Sequence, residues 1–136
     1  SIIRYSGGDL ILHKIPKDPL RAKNLLKVSS QAINTANSIE LKEETANTIF
    51  RELYEGLHQY CEALGYLNGL KFKSHEEITK FLKEGLDETI ISIKFDRYRK
   101  LRNGINYYGE TISIESVNEA KVNIPLLIKK LGSYKN

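Results

Sequence analysis

Apolar residues recur every three or four positions along five stretches of this chain, the spacing of amphipathic α-helices. The stretches cover about 18–36, 42–67, 74–85, 87–109 and 113–131. The longest carries one broad apolar stripe: Ile49, Phe50, Leu53, Leu57, Tyr60, Cys61 and Leu64. The first is predicted to bury Leu25, Leu26, Val28, Ala32 and Ile33. The pattern predicts an all-α fold in which four or five helices pack as an up-and-down bundle.

Residues that begin or end helices stand at the edges of these stretches. Asp18 followed by Pro19 is a good helix start, because Asp caps free backbone N–H groups and Pro suits the first turn. Pro125 removes a backbone donor inside the last stretch and predicts a kink or a split there. The other signals are a Ser74–Glu77 capping box, a Ser113 N-cap, and C-terminal ends at Asn68-Gly69 and Gly109.

Residues 1–17 lack the helical pattern. Short apolar runs flank Gly7-Gly8, which is compatible with a small hairpin, with a disordered arm or with an arm that docks on a partner. We therefore divide the chain into an N-terminal arm, 1–17, a helical domain, 18–131, and a polar tail, 132–136.

Composition places the chain among globular proteins, with 40% hydrophobic and 28% charged residues in 136. No apolar run approaches the ~20 residues that span a bilayer, and the N-terminus lacks a signal-peptide pattern. The lone Cys61 excludes an internal disulfide and suits a reducing compartment, so the cytoplasm is expected. The net charge of +4 permits nucleic-acid binding without requiring it.

Several familiar chemistries have no motif in the sequence. There is no phosphate-binding GxxxxGK[ST] loop, no GxGxxG and no HExxH. Cys61 and the three widely spaced histidines do not form a cluster with metal-ligand spacing. We expect neither a metal nor a cofactor.

The segment Lys94–Gly109 is the most unusual stretch. It carries five Lys or Arg side chains against a single acidic one, Asp96. On a helix, Arg102 falls within the apolar stripe of Ile91, Phe95, Tyr98 and Ile105. A guanidinium in such a place needs a partner, because an unpaired buried charge is costly. A glutamate of the long helix, backbone carbonyls, a second subunit and an anionic ligand are the alternatives.

Two histidines are further candidates. His58 lies on one edge of the long helix with Tyr54 and Glu62, and His75 lies in the first turn of the short helix. Either has a structural interpretation as well as a functional one, in which an imidazole supports chemistry at Arg102.

Arg102-Asn103, followed by three residues and then Tyr107, resembles the signature of the HEPN superfamily, which is Arg-Asn, three variable residues and His. HEPN proteins are small helical bundles. The similarity to their stand-alone archaeal and bacterial members covers about residues 18–131. It includes Asp18–Lys23 (DPLRAK), Thr48–Leu57 (TIFRELYEGL), Ser74–Ile78 (SHEEI) and Lys100–Gly109 (KLRNGINYYG).

The resemblance implies a homodimer in which the signature helices of two subunits build a shared basic cleft. Active members are metal-independent ribonucleases. Their arginine stabilises phosphate charge, and their histidine takes part in acid–base chemistry on the 2′-hydroxyl. Many members accompany a small nucleotidyltransferase as toxin or partner, whereas others bind RNA or mediate dimerisation without catalysis.

This sequence departs from the signature at the histidine, where it has Tyr107. A phenol with a pKa of about 10 is a poor base near pH 7, although it still donates hydrogen bonds and stacks on bases. We therefore expect a dimer that binds RNA or a nucleotide without full catalytic activity. The alternatives are an active ribonuclease that uses Arg102 with Tyr107, His58 or His75, and an interaction module for a nucleotidyltransferase. The expected phosphate-binding residues are Arg99, Lys100, Arg102, Asn103 and Asn106.

Overall fold

Five α-helices make up most of the computed structural model, which describes residues 12–136. A π-helical turn, Phe81–Gly85, follows the third helix, and a 3-10 turn, Gly132–Tyr134, follows the fifth. The helices are α1 (Pro19–Ser38), α2 (Glu43–Leu67), α3 (His75–Lys80), α4 (Thr89–Tyr108) and α5 (Ile114–Leu131). This confirms the predicted all-α class and the order of its elements. None of the helices in this part of the chain is long and apolar enough to cross a membrane.

Helix α2 is the central element, and α1, α4 and α5 all pack against it. Its apolar stripe is buried as predicted, and Phe50, Leu53, Leu57 and Leu64 have no exposed surface. The Cys61 thiol lies in the same core, where burial raises its pKa and keeps it protonated. Burying each large side chain of this kind contributes about 1.5–3 kcal/mol, so this stripe is the main source of stability.

The helix ends lie close to the predicted residues. The side chains of Asp18, Ser74 and Ser113 accept hydrogen bonds from backbone N–H groups of the first turns that follow them. Gly109 ends α4 with a φ of 65°, a conformation that glycine adopts without strain. Of the kink or split predicted at Pro125, the split does not occur, because α5 is one helix from Ile114 to Leu131. The apolar face of α5 packs on the core through Val117, Ala120, Ile124, Leu127 and Leu131.

The contact between α1 and α2 depends on small residues that hydrophobicity does not reveal. Val28, predicted to be in the core, is 41% exposed, whereas Ser29 is buried and its hydroxyl donates to the Gly56 carbonyl at 2.6 Å. A Cβ atom at Gly56 would lie 2.6 Å from the Ile33 Cδ1 atom and 3.2 Å from the Ser29 carbonyl oxygen, so any side chain there would force Ile33 to move.

A two-stranded antiparallel sheet joins the end of the N-terminal segment to the α2–α3 connection. Strand β1 is His13–Lys14, and it pairs with β2, Leu70–Lys71. The Ile15 N–H then donates to the carbonyl of Gly69 at 2.8 Å. The hairpin considered around Gly7-Gly8 lies outside the described residues.

Candidate functional site

Among the described residues, Arg102 contacts an imidazole and an aromatic ring but forms no ion pair with a carboxylate. Its Nη2 atom lies 2.8 Å from Nε2 of His75, and its guanidinium carbon lies 5.0 Å from the centroid of the Tyr54 ring. Its Nε atom is buried and has no hydrogen-bond partner. Within residues 12–136 no Asp or Glu forms an ion pair with Arg102, so a glutamate of α2 does not neutralise it there.

Three helices bring these groups together. Helix α4 buries Ile91, Phe95, Tyr98 and Ile105 as predicted, and this fixes its rotation about its axis. Phe95 stacks near Tyr54 of α2, with 5.7 Å between ring centroids, and it also lies 6.4 Å from the His75 ring. His75 is the first residue of α3, whose start is held by the Ser74 cap. Arg102 therefore rests against side chains from α2 and α3.

Hydrogen-bonding rules fix the protonation state of His75. A guanidinium only donates, so Nε2 of His75 accepts from Arg102 and carries no proton. The proton of the neutral ring is then on Nδ1, which lies 2.9 Å from the Tyr54 hydroxyl oxygen and donates to it. The Tyr54 O–H group is left to donate to a further acceptor. Arg102, His75 and Tyr54 thus form one directed chain of donors.

His58 lies beside this chain, and its ring centroid is 5.3 Å from that of His75. Burial lowers the pKa of His58 to about 4 and raises the pKa of the neighbouring Glu62 to about 7, with 3.7 Å between His58 Nε2 and Glu62 Oε1. Burial and then the charge of Arg102 lower the pKa of His75. Both imidazoles are therefore neutral at neutral pH in the free protein.

These groups line a small open cleft of about 160 Å³. A water molecule occupies ~30 Å³ in the liquid, so the cleft has room for one phosphate-sized group. At its edge the Glu55 carboxylate accepts a hydrogen bond from the side-chain amide of Gln59. The lining residues are Tyr54, Glu55, His58, Gln59, His75 and Arg102.

The neighbouring cations predicted to bind phosphate are already ion-paired. Arg99 Nη2 lies 2.7 Å from Asp96 Oδ1, and Lys100 Nζ lies 3.1 Å from Asp96 Oδ2. These contacts hold the pKa of Asp96 below its usual value. Arg99 is partly buried, whereas the ammonium of Lys100 extends into solvent, so a ligand reaches Lys100 more easily.

The remaining predicted residues lie further along α4. Asn106 accepts a hydrogen bond from Nε of Arg51 at 2.8 Å, and Asn103 is half-buried. Tyr107 is 70% exposed and is not among the residues that line the cleft. The structure therefore brings His58 and His75 to Arg102, but it does not bring Tyr107 there.

Tyr54 was not predicted as a site residue, although its position contained a signal. It precedes His58 by one helical turn on the same edge of α2, so the two side chains point to the same side. What the sequence did not show is that Arg102 of α4 faces that edge.

Residues 12–136 form a small five-helix all-α domain with a cleft that contains one arginine and two histidines. Comparison with protein-family models, with curated proteins and with solved structures finds no match. Among residues 12–136, no group of three or more His, Cys, Asp or Glu side chains is arranged to hold a metal ion.

Proposed function

We propose that this protein binds RNA and holds a phosphate of the RNA in the cleft formed by Arg102, His75 and Tyr54. The observation that carries the proposal is the partly buried guanidinium of Arg102, which no carboxylate neutralises in the described chain and whose Nε has no partner. The resemblance of Arg102-Asn103 to the HEPN signature points to the same ligand.

The donors in the cleft suit an oxyanion. Arg102 has terminal N–H groups beyond the one that donates to His75, and the Tyr54 hydroxyl has a proton to donate. Hydrogen bonds between a guanidinium and phosphate oxygens are among the stronger ones in proteins, especially where water is partly excluded. A phosphate would therefore gain several charge-assisted hydrogen bonds in a site that already exists.

RNA is favoured over a free phosphate because the helix that carries Arg102 also carries exposed aromatic side chains. Tyr107 and Tyr108, at the end of α4, are 70% and 77% exposed. Unstacked bases of single-stranded RNA bind to such rings, and each stacked base contributes about 1–3 kcal/mol. Lys100 adds an accessible positive charge on the same helix.

The partners implied by the HEPN resemblance belong to the same proposal. In a homodimer, two α4 helices would bring two Arg102 clefts onto one continuous basic surface. Sedimentation analysis would measure the oligomeric state. Co-purification with proteins encoded by adjacent genes would test a nucleotidyltransferase partner.

Binding of a labelled single-stranded RNA is expected to weaken steeply with salt, because each neutralised phosphate releases a counterion. Fluorescence anisotropy at several salt concentrations measures the slope. Single-stranded DNA of the same sequence shows whether the 2′-hydroxyl matters. Absence of binding even at low salt would rule out the proposed function.

A second candidate is metal-independent cleavage of RNA, favoured by the two imidazoles that lie 5.3 Å apart beside Arg102. One neutral imidazole would take the proton of the 2′-hydroxyl as its oxygen attacks phosphorus. The other, protonated, would donate to the 5′-oxygen as the P–O bond breaks. The products would be a 2′,3′-cyclic phosphate and a 5′-hydroxyl end.

This candidate predicts cleavage of labelled RNA in the presence of EDTA, with a rate that rises as the pH falls below neutral. The sign follows from the low pKa values of His58 and His75, which leave few molecules with the acid protonated at neutral pH. His58→Gln and His75→Gln should each slow the reaction by ~10²-fold or more, and His13→Gln is the matched control. Cleavage that survives both cleft substitutions would indicate a contaminating nuclease.

A further inference from the structure

The contact between Arg102 and His75 exists in only one protonation state. Nε2 of His75 accepts from Arg102 at 2.8 Å, and Nδ1–H donates to Tyr54 at 2.9 Å. A protonated ring has no lone pair to accept with, so protonation of His75 breaks the bond to Arg102 and leaves two cations face to face. The free cleft therefore holds His75 neutral through geometry as well as through burial.

An oxyanion in the cleft would reverse this preference. Placed between Arg102 and His75, it would accept from the guanidinium and from a protonated Nε2 of His75. The Nδ1–H bond to Tyr54 would stay as it is, because Nδ1 donates in both states. The exchange costs a single Arg–His hydrogen bond and gains two charge-assisted bonds to the anion.

We propose that binding of a phosphate-type oxyanion at this cleft is coupled to the uptake of one proton by His75, so that affinity rises as the pH falls. The inference rests on the proposed function, since it concerns the same cleft. It adds that His75 becomes protonated when it binds the anion, and that Tyr54 holds the His75 ring in position.

The charged and titratable groups around His75 determine the direction of the coupling. Helix α4 presents Arg99 and Arg102, both of which oppose protonation of His75. Glu76, on the same helix as His75, favours protonation of His75, but its effect is smaller than that of the two arginines. An anion placed among these groups offsets the two arginines. Helix α2 presents Tyr54, Glu55 and His58, with Glu62 behind His58.

Three of the groups on α2, Tyr54, His58 and Glu62, could in principle compete with His75 for the proton. Burial raises the pKa of Tyr54, so its hydroxyl stays protonated and cannot supply the change. Burial lowers the pKa of His58 to about 4, and it is Nε2 of His75 that accepts the hydrogen bond from Arg102, so an anion bound by Arg102 would meet His75 first. Burial raises the pKa of Glu62 to about 7, but Glu62 is not among the residues that line the cleft, so the anion would not contact it. The uptake is therefore assigned to His75.

The expected pH profile follows from linkage. The pKa of His75 is lowered in the free protein and is raised when the anion is bound. Affinity is highest below the free-state pKa and falls by up to about tenfold per pH unit between the two pKa values. Above the bound-state pKa it becomes constant again, because His75 is then neutral in both forms.

Sulfate is a suitable first probe because its own charge does not change across neutral pH, and a short RNA is the second. Because the chain has three histidines, NMR can resolve the nitrogen signals of each imidazole in the unsubstituted protein. In the free protein, His75 should show a proton on Nδ1 alone. With saturating sulfate at the same pH, it should become doubly protonated, while His13 should not change.

The variants separate this inference from the proposed function. His75→Gln keeps a donor and an acceptor but does not titrate, so it should bind sulfate and RNA with an affinity independent of pH. His13→Gln should keep the pH dependence of the natural protein. If neither probe binds at any pH, the proposed function fails. If they bind while His75 stays neutral and affinity is flat with pH, or if His58 takes the proton, only the coupling fails.

Discussion

Replacing Phe95 by alanine is expected to lower the free energy of unfolding by about 3–5 kcal/mol, the range for truncating a buried aromatic side chain. Phe95 has no exposed surface, and its ring lies 5.7 Å from that of Tyr54 and 6.4 Å from that of His75. The substitution therefore leaves a cavity directly under the cleft. Urea denaturation followed by circular dichroism measures the change.

The same substitution should also weaken RNA binding in the fraction that remains folded, because Tyr54 and His75 lose the ring that supports them. Ile93→Ala is the matched control, since Ile93 lies on the same helix but is 64% exposed, and its replacement should change stability by less than about 0.5 kcal/mol. A Phe95→Ala protein that is nearly as stable as Ile93→Ala would contradict the packing described for α4.

Replacing Arg102 by methionine is expected to lower RNA affinity by about tenfold to a hundredfold with little effect on stability. The affinity loss follows from removing charge-assisted hydrogen bonds, each of which contributes about 1.5–3 kcal/mol. The free energy of unfolding should change by less than about 1 kcal/mol. Methionine keeps most of the packing, and the lost contacts to His75 and Tyr54 are offset because a partly desolvated charge is removed.

Arg97→Met provides the matched control on the same helix. Arg97 is exposed and its Nη2 lies 2.6 Å from Oε1 of Glu119, on the side of α4 that faces α5. Its replacement removes the same charge from the protein but none from the cleft, so RNA affinity should change far less. If Arg102→Met instead destabilises the protein by about 3–5 kcal/mol, as when one partner of a buried ion pair is removed, Arg102 is structural. Equal affinity losses in the two variants would indicate non-specific attraction to net charge.

An arginine that binds an anion and an arginine that only stabilises the fold look alike in sequence. The effects of a substitution on affinity and on stability must therefore be measured separately. A structural arginine is paired with a carboxylate, and its loss leaves that carboxylate uncompensated. The arrangement around Arg102 differs, because its contacts in the described chain are neutral groups. Comparing the two variants by unfolding and by RNA binding therefore tests the interpretation of the site directly.

The sequence alone determined the helices and most of their ends. Periodicity and capping act within a few residues, so Asp18, Ser74, Ser113 and Gly109 are identified without knowing the rest of the fold. The stripe of α4 was also predicted correctly, and with it the unusual place of Arg102. Val28 was misjudged because tertiary packing outweighed local preference: the smaller Ser29 is the residue buried against α2. Of the two outcomes predicted at Pro125, a split does not occur.

Only the tertiary structure decided what Arg102 faces. Tyr54, His58 and His75 come from α2 and α3, and whether they meet Arg102 depends on how three helices are rotated and spaced against one another. That arrangement is set by the sum of many core contacts over the whole bundle, and no local pattern encodes it. The sequence therefore identified the charge that needs a partner, while long-range packing supplied the imidazoles and the phenol that surround it.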